Sequence, residues 1–145
     1  MAEKIVVVED DKDIQYLLQN SLTKAGYDVT VISDGNSLAT QQTERADLYL
    51  LDVNLPGING LDLCKQLKLN NLTRNTPVIM LSAFPGLKNV APKYFADDSM
   101  EKPFNFATLM SMITKHLRKA VSKTPTETLT DASDVTSKDQ PTAAF

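Results

Sequence analysis

Leu48-Tyr49-Leu50-Leu51-Asp52-Val53-Asn54-Leu55-Pro56-Gly57 is an apolar run that ends abruptly in one carboxylate and a turn. Four largely apolar residues in succession, without polar alternation, predict a strand buried on both faces, and the Pro56-Gly57 pair turns the backbone soon after it. Asp52 is thereby delivered to the C-terminal end of a strand. In an open parallel sheet that edge is where ligands bind, so the carboxylate is a site candidate on position alone.

Similar runs lie on either side of it. Ile5-Val6-Val7-Val8 is β-branched or apolar throughout and stops at Glu9-Asp10-Asp11, which predicts a central strand ending in acids. Tyr27 to Ile32 reads as a second strand. Pro77-Val78-Ile79-Met80-Leu81 reads as a fourth, with its proline at the first position where a missing N–H costs least, and it ends at Ser82. Ser99-Met100-Glu101 is short and suits an edge strand before Lys102-Pro103.

Between the strands the period changes. Ile14, Leu17, Leu18, Leu22 and Ala25 share one helical face, with Asp11 near the start and Gly26 closing the helix. Asn36 to Arg45 predicts a weaker helix with Leu38, Ala39 and Thr43 inward, and Leu61, Leu63, Cys64, Leu67 and Leu69 mark a third. Pro85, Gly86 and Pro92 leave room only for a short fourth helix around Leu87 to Ala91. Asn105 caps a last one whose apolar face carries Phe106, Leu109, Met110, Ile113 and Leu117. Five strands alternating with about five helices, the fourth atypical, predict an α/β fold with a doubly wound parallel sheet.

Composition narrows the class of function. The chain has 145 residues, 42% hydrophobic and 23% charged, enough for one domain with a full core and too few for two comfortable ones. A net charge of -3 argues against a nucleic-acid footprint, which shows as a basic patch. One cysteine, Cys64, and one histidine, His116, exclude a disulfide framework and multi-His or Cys-cluster metal sites. Cys64 reads as a packing thiol, and His116 as a cation complementing the last turns of its helix. No apolar stretch approaches the roughly 20 residues of a membrane span. The expected location is cytoplasmic. Residues 121–145 are rich in Thr, Ser, Asp and Pro and read as a disordered tail after a domain over 1–120.

The strand ends collect polar groups on one sheet edge: Glu9 and Asp10, Asp52, Ser82 and Lys102. Three carboxylates repel one another unless a cation neutralises them, and an oxygen-only donor set suits Mg2+. A lysine and a hydroxyl beside such a metal are what phosphoryl transfer needs, since its catalysis is mostly positioning and charge neutralisation. Asp52 is the nucleophile candidate, because aspartyl phosphates are an established covalent use of that side chain.

Four stretches in this order and spacing resemble the receiver domain of two-component response regulators: Val7-Val8-Glu9-Asp10-Asp11, Leu50 to Gly60, Val78 to Ala83, and Glu101-Lys102-Pro103-Phe104. The resemblance covers residues 3 to 120 and implies a flavodoxin-like five-stranded sheet of order 2-1-3-4-5. It implies that Asp52 accepts a phosphoryl group from a histidine kinase or a phosphotransfer protein. Glu9, Asp10, Asp52 and the backbone carbonyl of Asn54 would hold Mg2+, Lys102 would pair with the phosphoryl oxygens, and Ser82 would be the switch hydroxyl. A cis peptide before Pro103 is also implied.

The sequence departs from the family pattern in places. Glu9 stands where Asp is usual, and Ser99 where an aromatic switch residue is usual, so Phe84, Tyr94 or Phe95 would have to substitute. The segment between Ser82 and Lys102 is about two residues short and holds two prolines. The expected function is a stand-alone receiver signalling by protein-protein contact, with a downstream protein target and no nucleic acid or membrane partner, turning over no external substrate. Two other readings are a pseudo-receiver acting without phosphorylation and a receiver piece of a hybrid kinase. A haloacid-dehalogenase-like phosphohydrolase would need a second Asp two residues after Asp52, and that position is Asn54.

Overall fold

A computed structural model describes residues 2–40 and 45–123. The elements follow the expected alternation: β1 Lys4–Val8, α1 Lys12–Lys24, β2 Asp28–Ile32, α2 Gly35–Thr40, β3 Leu48–Asp52, α3 Gly60–Leu69, β4 Val78–Ser82, α4 Leu87–Val90, β5 Asp98–Glu101 and α5 Phe106–Lys123, with a 3-10 turn over Ala91–Tyr94. All strand pairs are parallel, and the sheet runs β2-β1-β3-β4-β5.

The uninterrupted apolar runs hide a period of two. Ile5, Val7, Leu48, Leu50, Ile79 and Leu81 face Leu18, Leu22, Leu109, Ile113 and Leu117 of α1 and α5. Val6, Val8, Tyr49, Leu51, Val78 and Met80 face Leu38, Leu61, Cys64 and Leu87 on the other side. Both faces of the three central strands are covered, which is why no polar residue interrupts them. Truncating one such leucine to alanine costs about 2–5 kcal/mol.

Side-chain caps start four of the helices. Asp11 accepts from the N–H groups of Asp13 and Ile14, Asp34 from Ser37, Asn59 from Leu61 and Asn105 from Thr108. The segment after β4 is shortened as its prolines require: Gly86 enters α4 at φ 84°, and α4 is one turn long before Pro92 tightens the chain into the 3-10 turn.

The structure corrects several expectations. Leu17 is 49% exposed, because α1 meets the sheet along a narrow seam in which only Leu18 and Leu22 are buried. Ala25 is the exposed C-cap of α1, and Leu69 ends α3 with 64% of its surface in solvent. Helix α2 starts at Gly35 and not Asn36, residues 41–44 with Thr43 among them lie outside the described residues, and Arg45, the expected end of the helix, is exposed and not helical. Helix α5 is described to Lys123, which leaves His116 within its last turns, but the His116 Nε2 is engaged by Asp98 Oδ2 at 2.8 Å instead of standing as a free cation at the helix end. The remainder of the expected tail, 124–145, lies outside the described residues.

Candidate functional site

Three strand ends and two loops converge at the C-terminal edge of the sheet. β3 ends in Asp52, whose register partner on β4 is Leu81, one residue before Ser82. β1 stops at Val8, and the next two residues are Glu9 and Asp10. β5 ends at Glu101, opposite Ser82, and Lys102 follows, its N–H donating to the Ser82 carbonyl at 2.9 Å. The peptide between Lys102 and Pro103 is cis.

Carboxylate oxygens of Glu9, Asp10 and Asp52 lie within 4.8 Å of one another. Glu9 and Asp52 are buried, whereas Asp10 is open to solvent. The Lys102 ammonium bonds Glu9 Oε1 at 2.7 Å and stands 3.5 Å from Asp52 Oδ2. Two buried anions thus share one cation. Burial pushes the Glu9 carboxyl above its ordinary value; the Lys102 hydrogen bond opposes this, nearby Asp52 adds to it, and the Asp11 N–H opposes it further. The loop after β1 is fixed by Gln15, whose amide donates to the Glu9 carbonyl and, at 3.0 Å, to Ser33 Oγ.

The donor set fits a hard divalent cation. It offers three oxygen donors of formal charge -3, with one ammonium offsetting part of it, and among the described residues no other group of three acidic, Cys or His side chains converges this way. Asn54 lies two residues past Asp52 in the exposed part of the β3–α3 loop, which puts its backbone near the same edge.

Ser82 is fully buried and its Oγ accepts from the Phe84 N–H at 3.1 Å. Phe84 itself is 42% exposed. Ser99 is half-buried on β5 opposite Met80. Of the aromatic residues considered in its place, Phe95 is exposed, and Tyr94 packs on the core beside Cys64, whose Sγ donates to the Tyr94 carbonyl at 3.4 Å. Burial pushes that thiol up to about 12, which suits the packing role expected of it.

Two features of the molecule escaped the sequence reading. Gly60 opens α3 against the backbone of Asp52, where a Cβ would overlap the Asp52 carbonyl oxygen and come within 2.8 Å of its carbon. The signal was available: glycine is a poor helix former, so one at a helix start asks for a steric reason. The other is His116, buried on α5 with Nε2 2.8 Å from Asp98 Oδ2 at the far end of β5.

The comparisons with known proteins agree with this geometry. A family model described as response regulator receiver domain matches residues 5–114. The chain is 36% identical over 121 residues to the uncharacterized transcriptional regulatory protein YrkP of Bacillus subtilis, covering 82% of this chain and 51% of that one. It is 38% identical over 128 residues to the alkaline phosphatase synthesis transcriptional regulatory protein PhoP of the same organism, covering 86% and 52%. The chain therefore spans about half the length of these curated relatives. Among solved structures, chemotaxis response regulator CheY4 of Vibrio cholerae superposes with TM-score 0.74 at 28% identity, covering 80% of this chain and 99% of that one. The receiver domain of sensor histidine kinase PA1611 from Pseudomonas aeruginosa, with a magnesium ion coordinated in its active site cleft, gives TM-score 0.73 at 26% identity, covering 81% and 99%. Fold, strand-end chemistry and family match coincide, and the chain belongs to the response regulator receiver domain family of two-component signal transduction.

Proposed function

We propose that Asp52 accepts a phosphoryl group from a histidine kinase or a phosphotransfer protein in a Mg2+-dependent reaction, and that the phosphorylated chain signals in the cytoplasm through contact with a downstream protein. The observation that carries this reading is the Lys102 ammonium set between Glu9 and Asp52 while Asp10 joins them in one oxygen cluster. Glu9, Asp10, Asp52 and the Asn54 carbonyl would hold the metal, which when bound supplies two positive charges to the phosphoryl oxygens.

The chain's own groups do the rest. An Asp52 carboxylate oxygen attacks phosphorus, the P–N bond to the donor imidazole breaks, and its electron pair stays on the imidazole nitrogen. Lys102 turns from Glu9 to the new phosphoryl oxygens. Ser82, at the adjacent strand end, gives up the Phe84 N–H and donates its hydroxyl to the same group. The reaction ends on the protein's own side chain, so no external substrate is turned over. The same chemistry serves a receiver acting alone, one joined to an output domain, or one within a hybrid kinase.

A phosphorylation-independent interaction module is favoured by one observation, Ser99 on β5 where the family places an aromatic switch residue. Incubation with acetyl phosphate and Mg2+ separates the readings. The proposed switch gains one hydroxylamine-sensitive phosphoryl group by mass, binds beryllofluoride, and loses both properties in Asp52→Asn. A wild-type chain that takes up neither would sink the switch and leave the interaction module.

A further inference from the structure

At the opposite edge of the sheet, where β4 and β5 begin, the fold leaves a cleft of about 190 Å3 lined by Lys68 of α3, Arg74 of the following loop, Asp97 before β5, and His116 and Lys119 of α5. Its one acid is already engaged: Asp97 Oδ2 accepts from Lys68 Nζ at 2.8 Å and from the Val78 N–H at 2.8 Å. His116 is turned to Asp98 and is 7% exposed. Among the described residues, neither the Arg74 nor the Lys119 side chain has an ion-pair partner. The cleft is therefore basic on balance, with two cations facing it uncompensated.

The sequence supplies a complementary occupant. Residues 124–145 carry Glu127, Asp131, Asp134 and Asp139 against the single base Lys138, a net charge of -3 that equals the formal charge of the whole chain, so residues 1–123 are neutral on balance. Lys123, the last described residue of α5, lies about one turn beyond Lys119, so the segment is tethered to the chain within about one turn of a cleft-lining residue. Tethering at that distance gives an effective concentration on the order of millimolar, enough for weak carboxylate–guanidinium contacts to persist.

We propose that the acidic segment 124–145 docks in cis into the basic cleft, joining the loop before β4 to α5. The proposal does not depend on phosphoryl transfer at Asp52. The test uses the full chain with Ser133→Cys carrying a nitroxide label; buried Cys64 does not compete for the reagent. The expected result is loss of intensity at the Arg74 and Asn75 amide signals, restored by high salt and by the double variant Arg74→Glu, Lys119→Glu. Neutralising Glu127, Asp131, Asp134 and Asp139 to their amides should also shift the ring signals of His116, the single histidine of the chain. Undiminished Arg74 and Asn75 signals in the labelled chain would overturn the proposal. So would broadening that arises only on mixing isotope-labelled chains with separately spin-labelled ones, which places a second copy's segment in the cleft. Shifts at Arg74 and Lys119 on adding inorganic phosphate, without any broadening, would assign the cleft to a small anion instead.

Discussion

Lys102 Nζ lies 2.7 Å from Glu9 Oε1, a bond that closes 93 residues of chain and ties the end of β5 to the end of β1. Glu9 is only 1% exposed, so this bond offsets part of the cost of keeping a charge out of water. It does not offset all of it, because the Glu9 carboxyl remains above its ordinary value. A carboxyl raised in the fold contributes stability below its unfolded pKa of about 4.3, and that contribution is lost as pH rises through the folded value. At neutral pH without metal, ionised Glu9 therefore costs stability. Glu9→Gln is expected to raise the metal-free unfolding temperature by a few degrees, since Lys102 keeps Asp52 as a partner at 3.5 Å, and to weaken stabilisation by added Mg2+. Melts followed by circular dichroism with and without Mg2+ check this, and a lower metal-free midpoint in the variant would count against it.

Gly60 predicts a steric effect at a distance from the charges. Its N–H donates to the Val53 carbonyl at 2.8 Å, holding α3 close under Asp52, and no room remains for a methyl group. Gly60→Ala should lose about 1–3 kcal/mol of stability and displace the Asp52 backbone, so that phosphoryl uptake falls more than the folded fraction does. Urea titrations set beside acetyl phosphate labelling of the native fraction separate the two losses. Equal losses would reduce Gly60 to a packing residue.

How much of this was legible in the sequence depends on whether the cause is local. Strands β1, β3 and β4 announce themselves as apolar runs, and because each ends abruptly in a polar residue, the strand-end cluster of Glu9, Asp52 and Ser82 is legible in the sequence alone. The shortened α4 was legible too, since Pro85 and Pro92 limit the backbone wherever they occur. Leu17 and Leu69 were misread because helical periodicity tells which residues share a face but not how wide a seam the sheet will cover. The His116–Asp98 pair spans 18 residues and two elements, and nothing in either residue's neighbourhood signals the other. Gly60 falls within the Leu50 to Gly60 stretch, yet its reason is the Asp52 carbonyl, a contact that exists only once α3 has folded back under β3.

The His116–Asp98 pair predicts an acid dependence with a definite sign. Burial raises the Asp98 carboxyl, but hydrogen bonds from His116, the Ser99 N–H and Lys115 outweigh it, and the net shift is downward. A depressed carboxyl adds stability above its unfolded pKa of about 3.9, and that stability is lost as pH falls through the lower folded value. Asp98→Asn should therefore be less stable than the wild type by about 1–2 kcal/mol near neutrality, with the gap shrinking in acid below about pH 4. Urea midpoints of both chains, measured from neutral pH downward, read the difference directly. A gap that stayed constant into strong acid would assign the effect to packing and not to charge.

Phe84 bears on how long a phosphoryl group would survive. Its N–H holds Ser82 Oγ at 3.1 Å, and its side chain, 42% exposed, follows that hydroxyl by two residues in the chain. The bulk of the ring is expected to hinder the approach of water to a phosphoryl group on Asp52, whereas a methyl group would not. Phe84→Ala keeps the backbone N–H and so keeps the bond to Ser82, which isolates the effect of bulk. The expected outcome is faster loss of the acyl phosphate at unchanged Mg2+ affinity, read from the decay of the phosphorylated mass after the donor is removed. An unaltered decay would remove Phe84 from any part in water access, and a decay that changed together with Mg2+ affinity would trace the effect to the metal site instead.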